Sequence, residues 1–539
     1  MSPSRRRAAP DPHLETISMP MRTPLLLAAF LALGCAPSTR RSDTPIPAGD
    51  RAPASAAGAG NRRGDSVAQY DIRLAPDPAA IRAIVREGTS RSHAAADLQY
   101  LTDVIGPRLT GSAAMRRAND WSAERFRAYG ADSVWLEPWT FGASWERGPA
   151  TLTLLAPHRR QLVTYSWAWA PGTNGPVAGD VAYVDARTVA EFGRRFAGRL
   201  AGKWVMISAP QPVLNPDGAP LSATDSARFD ATRRAFFAQP TDSAERAFRQ
   251  VRLSLLAGER IAGLIRDGAK EFGLLTMSGS PDSPYPFPHL VIAHEEYAQF
   301  HRLLAAGERV SVEADVRNTF SADPVQAYNT VAEIRGAGKP DEIVLLGAHL
   351  DSWDLATGAT DNATGSIAVL EAARILKAAG VRPTRTIRFA LFSGEEQGLI
   401  GSQRYAAAHA GELDRYQAVL VLDNGTGRIT GMSLQGRDDL RDAWQSLLNA
   451  AGELGPFEVK SRTKGGTDHL PFLRYGVPAF NYDQLSRGYD HTHHSQVDDF
   501  DHALPADVAQ AATVMAATAF QLANLPTLLP RKPVGQQAP

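Results

Sequence analysis

Histidine and carboxylate side chains follow three separate apolar runs of this 539-residue sequence. His349 and Asp351 come directly after "EIVLLGA". Glu395 and Glu396 follow "TIRFALF", and Asp423 follows "AVLVL". A cluster of imidazole and carboxylates with no Lys or Arg among them repels itself unless it holds a cation, and this mixture of ligand types suits zinc. The pattern therefore predicts a zinc site, provided that the chain brings the three segments together.

The elements around these residues alternate between strand and helix from about residue 325. The runs "EIVLLGA", "TIRFALF", "AVLVL" and "PAFNY" are short and almost wholly apolar, which is typical of strands buried on both faces of a parallel sheet. Segments with helical spacing lie between them, which predicts an α/β fold: a mostly parallel mixed sheet with helices on both faces. Because ligands bind at the carboxyl ends of such strands, the acids and the histidine should converge at one edge.

The α/β domain is predicted to be split in sequence. Residues 68–140 show helical spacing on both sides of the Gly106-Pro107 break and then a strand, and residues 325–526 carry the strand–helix repeat. Between them, residues 141–324 change to short alternating runs, with a helical stretch over residues 230–258, which predicts an inserted β-rich domain that contains one helix. In the first part of the α/β repeat, Asp354 is interpreted as a solvated loop acid, since a lone Asp after a strand is usually a turn or cap residue.

The N-terminus has the pattern of an export signal. Residues 1–35 contain an apolar core too short to span a bilayer, and Met19 and Met21 offer alternative starts. Cys35, the only cysteine, resembles the lipid-modification site of bacterial lipoproteins, and an ordinary cleaved signal is the alternative. Residues 36–67 are predicted to be a disordered tether, and 527–539 a Pro-rich tail. We therefore expect an exported protein of the periplasm or cell envelope, anchored by lipid at Cys35.

The balance of charge argues against nucleic acid as a partner. The sequence has 57 basic and 57 acidic side chains, so no overall positive field would gather a polyanion. A second candidate zinc motif, "HEEYA" at His294, is incomplete. It begins like a zinc-protease helix, but Ala298 lies where the second histidine is required.

Six motifs together resemble a known family. In chain order they are "GAHLDSWD", "GATDNATG", "SGEEQGLIGS", "LDNGTG", "GGTDHLPF" and "HHSQVDD", and "GPRLTGS" precedes them. They resemble the two-zinc exopeptidases that include bacterial zinc aminopeptidases and carboxypeptidase Q. The resemblance makes residues 68–140 and 325–526 a zinc peptidase domain, and the insert is similar to a protease-associated domain.

The resemblance also implies a role for each candidate residue. His349, Asp361 and Asp423 would hold one zinc ion. Asp361, Glu396 and a late histidine would hold the other, so that Asp361 bridges the two. Glu395 would remain free as the general base, which suits a pair of adjacent glutamates.

Two further assignments complete the implied site. Asp351 would orient the imidazole of His349 by accepting its second N–H. Among the three histidines of "HTHHSQVDD", the family's ligand stands four residues before an Asp, and His494 with Asp498 meets this pattern.

The implied function is a two-zinc exopeptidase that hydrolyses short peptides or dipeptides. A non-catalytic receptor or binding protein of the same fold is one alternative, although such a relative should lack one or more ligands. A glutaminyl cyclase, a single-zinc acyl transferase on a related fold, is the other alternative. The residues do not decide between amino- and carboxy-terminal specificity, nor do they define the oligomeric state.

Overall fold

The computed structural model describes residues 77–212, 223–238 and 240–531. The predicted export signal, the tether, Cys35 and residues 532–539 of the tail lie outside the described residues and stay predictions. Within the described ranges, no helix is both long enough and apolar enough to cross a membrane.

The described residues form two mixed sheets. The first has the strand order β1-β10-β12-β11-β13-β16-β14-β15, and the second has the order β3-β2-β9-β5-β6-β7-β8-β4. The strands are β1 (Ser133–Glu146), β2 (Ala150–Ala156), β3 (Arg160–Leu162), β4 (Thr164–Ser166), β5 (Val177–Tyr183), β6 (Trp204–Met206), β7 (Gly263–Asp267), β8 (His289–Ile292), β9 (Ser311–Val316), β10 (Thr319–Ile334), β11 (Lys339–His349), β12 (Arg385–Phe392), β13 (Tyr416–Val421), β14 (Ile429–Ser433), β15 (Glu458–Lys460) and β16 (Ala479–Gln484).

Helices pack against both sheets, together with several short helical turns. They are α1 (Pro78–Ser90), α2 (Ala94–Gln99), α3 (Ala113–Ala128), α4 (Val189–Arg195), α5 (Ala223–Phe237), α6 (Ser243–Gly258), α7 (His294–Ala305), α8 (Thr364–Ala378), α9 (Ile400–Ala408), α10 (Arg441–Asn449), α11 (Leu470–Leu473), α12 (Tyr489–Thr492) and α13 (Pro505–Ala523).

The first sheet confirms the predicted α/β fold. Strands β12, β11, β13 and β16 are parallel neighbours, and each coincides with one of the four apolar runs. Antiparallel pairs flank them, since β10 joins β1 to β12 and β14 pairs with β16. The sheet is therefore mixed with a parallel centre.

The centre of the first sheet is buried on both faces. Val344 and Leu346 of β11 belong to a core shared with helices α8 and α13, whereas Ile343 and Leu345 belong to a separate core with α9 and α11. Since successive side chains of a strand point to opposite faces, both faces need apolar residues, which explains the continuous apolar runs.

The second sheet lies between residues 150 and 316, inside the predicted insert. It is not wholly β, because β5, β6, β7 and β8 are parallel and helices α4, α6 and α7 accompany them. The sequence favoured one helix over 230–258, and this was wrong: α5 ends at Phe237 and α6 begins at Ser243. Pro240 lies in the break, where its ring and missing N–H oppose a continuous helix.

The boundaries of the insert at 141 and 324 stay predictions. Strands β1 and β10 form a long antiparallel ribbon that continues past both positions, to Glu146 and Thr319. This ribbon connects the first sheet to the second.

Candidate metal centre

The predicted site residues meet at the carboxyl ends of the parallel strands. His349 is the last residue of β11, and Asp423 follows β13 by two positions. Glu395 and Glu396 follow β12, and Asp361 lies in the helical turn before α8. The apolar runs end at one edge of the sheet, so polar residues distant in sequence become neighbours.

One group of ligand-type side chains gathers around His349. Its Nε2 lies 3.4 Å from Asp361 Oδ1 and 3.5 Å from Asp423 Oδ1. The three side chains can each offer one atom within 4.8 Å of the others. An imidazole and two carboxylates at this spacing form a tripod that a zinc ion could occupy.

A second group gathers on the other side of Asp361. His494 Nε2 lies 3.3 Å from Asp361 Oδ2 and 2.9 Å from Glu396 Oε2. His493 also approaches Asp361 Oδ2, at 3.8 Å, and its ring stacks on that of His494. The side chain of His493 is 45% exposed and that of His494 23%. Asp361 therefore presents one oxygen to each group.

Asp351 contacts more than the histidine that it was predicted to orient. The nearest acceptor for His349 Nδ1 is the backbone carbonyl of Asp351, at 3.0 Å, and the carboxylate lies at 3.7 Å. That carboxylate accepts hydrogen bonds from Thr110 Oγ1 at 2.8 Å and from the backbone N–H groups of Glu395 and Glu396 at 3.3 and 3.4 Å. Asp351 thus links the β11 end to the loop that carries both glutamates.

A buried arginine from the "GPRLTGS" motif shapes the loop after β11. Arg108 is fully buried and donates to the carbonyls of Leu350, Thr357 and Gly358 at 2.7–2.8 Å. Burial lowers its pKa to about 10, while Asp498 and other nearby carboxylates favour its charge. Gly358 has a φ of 61°, and a Cβ there would lie 2.2 Å from that of Ser352, so only glycine fits this loop.

Asp498 holds the backbone around Asp361. Its carboxylate accepts hydrogen bonds from Thr360 N and Oγ1, both at 2.7 Å, and from Asp361 N at 3.1 Å. Asn362 donates to the carbonyl of Leu422 at 2.9 Å, which ties this turn to the strand end before Asp423.

The electrostatics of the cluster fit a bound cation. Burial raises the pKa of Glu395 and of Glu396 well above the usual range, and neighbouring carboxylates add to the shift. His349 is buried, which disfavours its charge, yet Asp423 and Glu395 raise its pKa well above the usual value. The cluster thus retains a proton where a metal ion could supply positive charge instead.

Unpartnered buried atoms point to the same conclusion. His349 Nε2, Asp361 Oδ2 and Glu396 Oε1 are buried with no hydrogen-bond partner. A native structure rarely leaves such atoms unpaired unless an ion or water completes them. Burial also lowers the pKa of His494, which keeps its imidazole neutral as a metal ligand must be.

The sequence analysis misjudged one acid, Asp354, and did not single out another, Asp468. Asp354 is not a solvated loop acid: its carboxylate is only 14% exposed and lies 2.6 Å from Arg147, which directly follows β1. Asp468, in "GGTDHLPF", is fully buried with both oxygens unpartnered, and burial raises its pKa to about 7. The motif signalled Asp468, but nothing in its spacing distinguished it from a helix cap.

Residues 150–316, which contain the second sheet and are called the second-sheet region below, contact the loop that carries His494. Met277 N donates to the carbonyl of His494 at 3.0 Å. Gln496 accepts from Leu275 N at 2.8 Å and donates to the carbonyl of Gly273 at 3.0 Å. The position of His494 therefore depends on residues that follow β7.

Comparisons of sequence place this arrangement among known proteins. Residues 329–519 match the model of peptidase family M28. Carboxypeptidase Q of Bos taurus is 29% identical over 447 residues, which cover 82% of this chain and 88% of that protein. Aminopeptidase YwaD of Bacillus subtilis is 32% identical over 194 residues, 34% of this chain and 42% of that protein.

Solved structures share the fold. A peptidase M28 precursor from Shewanella amazonensis is 26% identical, with a TM-score of 0.68, and the match covers 85% of this chain and 99% of that one. BSAP, a zinc aminopeptidase from Bacillus subtilis, is 20% identical with a TM-score of 0.54, covering 79% of this chain and 93% of that one. The latter likeness concerns the fold alone.

Proposed function

We propose that the chain is a two-zinc exopeptidase acting on short peptides, because residues 329–519 match the model of peptidase family M28. The observation that supports this function best is the pair of ligand groups that share Asp361, with Glu395 beside them. An imidazole with two carboxylates, as in the His349 group, is a donor set that suits zinc.

The residues form two different sets of candidate zinc ligands, which share Asp361. His349, Asp361 and Asp423 would hold one ion, and Asp361, Glu396 and His494 the other. We choose His494 over His493 because only His494 also lies within 3 Å of a Glu396 oxygen. When bound, two such ions polarise a scissile carbonyl and lower the pKa of water toward 7.

Glu395 is the proposed general base. Its side chain belongs to neither ligand group, and its backbone N–H is fixed by the carboxylate of Asp351. Burial and neighbouring carboxylates raise its pKa, so cations at the centre would lower it and make the carboxylate available. Glu395 then takes a proton from the attacking water and delivers it to the leaving amine.

Hydrolysis of free and blocked dipeptides tests the proposed function. The purified full chain should hydrolyse dipeptides with free ends, lose activity on treatment with a chelator, and regain activity with zinc. N-acetylated and C-amidated dipeptides then show which terminus is read, as relatives of both kinds occur. Hydrolysis that is unaffected by the chelator would contradict the proposal.

Glu395→Gln sharpens that test. It should retain both zinc ions and lower the turnover rate by roughly 10²–10⁴-fold, the range for a positioned proton carrier. Glu308→Gln is a matched control, because Glu308 is exposed in the second-sheet region. If Glu395→Gln loses zinc, this residue is a ligand and the base is another group.

The remaining assignments form part of the same proposal. We propose that the second-sheet region is a protease-associated domain and that the protein is exported, with a lipid anchor at Cys35. A binding protein without activity, or a single-zinc acyl transferase, would fail the dipeptide assay, and the second would bind one zinc ion per chain.

A further inference from the structure

The second-sheet region contains a cavity of about 620 Å³ whose lining residues all lie outside the candidate metal centre. It is lined by Tyr183 at the end of β5, by Ile207 just after β6 and by residues of β7 up to Arg266. Helix α6 contributes Phe248 and Arg252. Small molecules usually bind in cavities of this size, and in parallel sheets they bind near the carboxyl ends of strands.

The cavity has more positive than negative charge. Arg187 and Arg249 both pair with Glu245, at 2.5 and 3.1 Å. Among the described residues, Arg252 has no carboxylate partner: its Nη1 donates to the carbonyl of Ile207 at 3.5 Å, and its Nε is buried without a hydrogen bond. Burial lowers its pKa, which reflects the cost of an uncompensated cation.

Arg266 supplies a second guanidinium without a carboxylate in the described part of the chain. It lies over the ring of Trp167, 4.2 Å from the ring centre, and lines the cavity together with Tyr285. These contacts position the group but leave its charge uncompensated. Two such arginines, both partly buried and lining one cavity, attract an anion, since a charge that is withdrawn from water without a partner is costly.

A buried histidine between these groups has a free ring nitrogen. His289 is 3% exposed, stacks on Trp167 at 5.4 Å and contacts Tyr285 at 4.4 Å. Its Nδ1 is buried with no hydrogen-bond partner. Burial and the charge of Arg266 hold its pKa well below the usual value, so the imidazole is neutral and can donate one hydrogen bond.

We propose that this cavity binds a small organic carboxylate with an aromatic or apolar body, recognised by Arg252, Arg266 and His289. Guanidinium groups suit a carboxylate because their N–H donors match its two oxygens. The other walls favour an apolar body rather than a bare inorganic anion, because Tyr183 and Phe248 line the same space. Peptides and amino acids, which carry such carboxylates, belong to this class of ligand.

Calorimetric titration of the full-length, zinc-loaded protein tests the proposal. The probes are 3-phenylpropionate, its uncharged amide and inorganic phosphate. We expect 3-phenylpropionate to bind, the amide to bind at least tenfold more weakly, and phosphate to give no comparable heat. The amide keeps the apolar body and removes the charge, so it isolates the role of the two arginines.

Variants locate the bound probe. Arg252→Met and Arg266→Met should each weaken 3-phenylpropionate binding by about 10- to 100-fold, the range for loss of a charge-assisted hydrogen bond. Arg309→Met is the matched control, because Arg309 is an exposed arginine of the same region, paired with Asp180. His289→Phe keeps the ring stack, loses Nδ1 and should weaken binding several-fold. Dipeptide hydrolysis by each variant, without probe, should stay within twofold of wild type and shows that the chain is folded.

Several results would overturn the proposal. Unchanged affinity in the folded arginine variants would place the carboxylate elsewhere, for instance at the metal centre. Absence of binding by 3-phenylpropionate, or binding of phosphate alone, would refute the assigned class of ligand. If the arginine variants fail to fold, unchanged binding by His289→Phe, together with equal binding of acid and amide, would refute it equally.

Discussion

The two halves of the candidate metal centre are built in different ways. In the half that contains His349, the candidate ligands His349 and Asp423 lie at or just beyond the ends of two parallel strands of the buried sheet. On the His494 side, the histidine lies in a loop after α12, is partly exposed, and has His493 stacked against it. The first half is fixed by the sheet, whereas in the second only Glu396 follows a strand, and the histidine depends on loop contacts and on the second-sheet region. Asp361 belongs to both.

The substitution Asp361→Asn should have the largest effect, because it removes the residue common to both halves. Loss of this charge weakens the attraction for both cations, so both zinc ions should be lost together. Activity should fall by roughly 10³-fold or more, which corresponds to several kcal/mol of lost transition-state stabilisation. Zinc analysis by mass spectrometry, alongside dipeptide hydrolysis, measures this. Retention of one ion at full affinity would show that Asp361 does not bridge.

Substitution of the two stacked histidines compares the alternatives within the loop half. His494→Ala should lose one zinc ion and nearly all activity, because His494 approaches both Asp361 and Glu396. His493→Ala should keep two zinc ions and lose less than about tenfold in turnover, because Asp361, at 3.8 Å, is the one candidate carboxylate ligand with which His493 pairs. His491→Ala, an exposed position of the same loop, serves as the control. Loss of zinc with His493 instead would shift the ligand by one residue.

Arg108→Met tests the stability of the strand half. The substitution leaves the carbonyls of Leu350, Thr357 and Gly358 without their donor in a buried setting. We expect the free energy of unfolding to fall by about 3 kcal/mol or more, because buried acceptors without partners are costly. Arg147→Met is a useful comparison, since it breaks the ion pair with Asp354 and the hydrogen bond to the Ser166 carbonyl but leaves the loop after β11 with its Arg108 contacts. Equal losses in urea unfolding would contradict the central role of Arg108.

Gln496→Ala should act on the loop half alone. It removes the two hydrogen bonds to the segment after β7, at Leu275 and Gly273, and so loosens the support of His494. Zinc affinity of one site should drop by roughly 10-fold, as is usual for a residue that supports a ligand, while the other site is unchanged. Competition with a fluorescent zinc chelator measures both affinities. An equal loss at both sites would show that the two halves are not independent.

The smallest expected effect is on the pH dependence of stability, through the pair His294 and Asp267 of the second-sheet region. His294 Nδ1 lies 3.1 Å from Asp267, whose hydrogen bond raises the histidine's pKa. A raised folded pKa adds stability that is fully present below the unfolded value of about 6.5 and is lost as pH rises through the folded pKa. His294→Gln should therefore destabilise by about 1 kcal/mol at pH 5.5 and less at pH 8.5. The opposite trend in thermal unfolding would contradict this pairing.

The sequence predicted the ligand candidates at the strand ends better than it predicted the residues that hold the surrounding loops in place. His349 and Asp423 follow continuous apolar runs, and a buried parallel strand is one of the few structures that such runs can form. Arg108 and Asp498 could not be assigned roles from local pattern. Each acts through hydrogen bonds to residues more than 130 positions away in sequence, and only the folded chain defines them.

The second sheet was predicted less fully for a similar reason. Its strands are short, and the alternating runs indicated β structure without distinguishing parallel from antiparallel pairs. Asp354 illustrates the consequence: its partner, Arg147, lies across the junction between the two sheets, so spacing alone suggested a solvated acid. Long-range pairing decides burial, and a single sequence does not record it.

Zinc content of the wild-type chain and of two single variants tests the central claim most directly. Mass spectrometry of the purified protein should find two zinc ions per chain, one in His494→Ala and one in His349→Ala, since each histidine belongs to only one group. Glu308→Gln should keep two. A wild-type chain that binds a single zinc ion, or a His349→Ala variant that still binds two, would contradict a centre made of two sites that share Asp361.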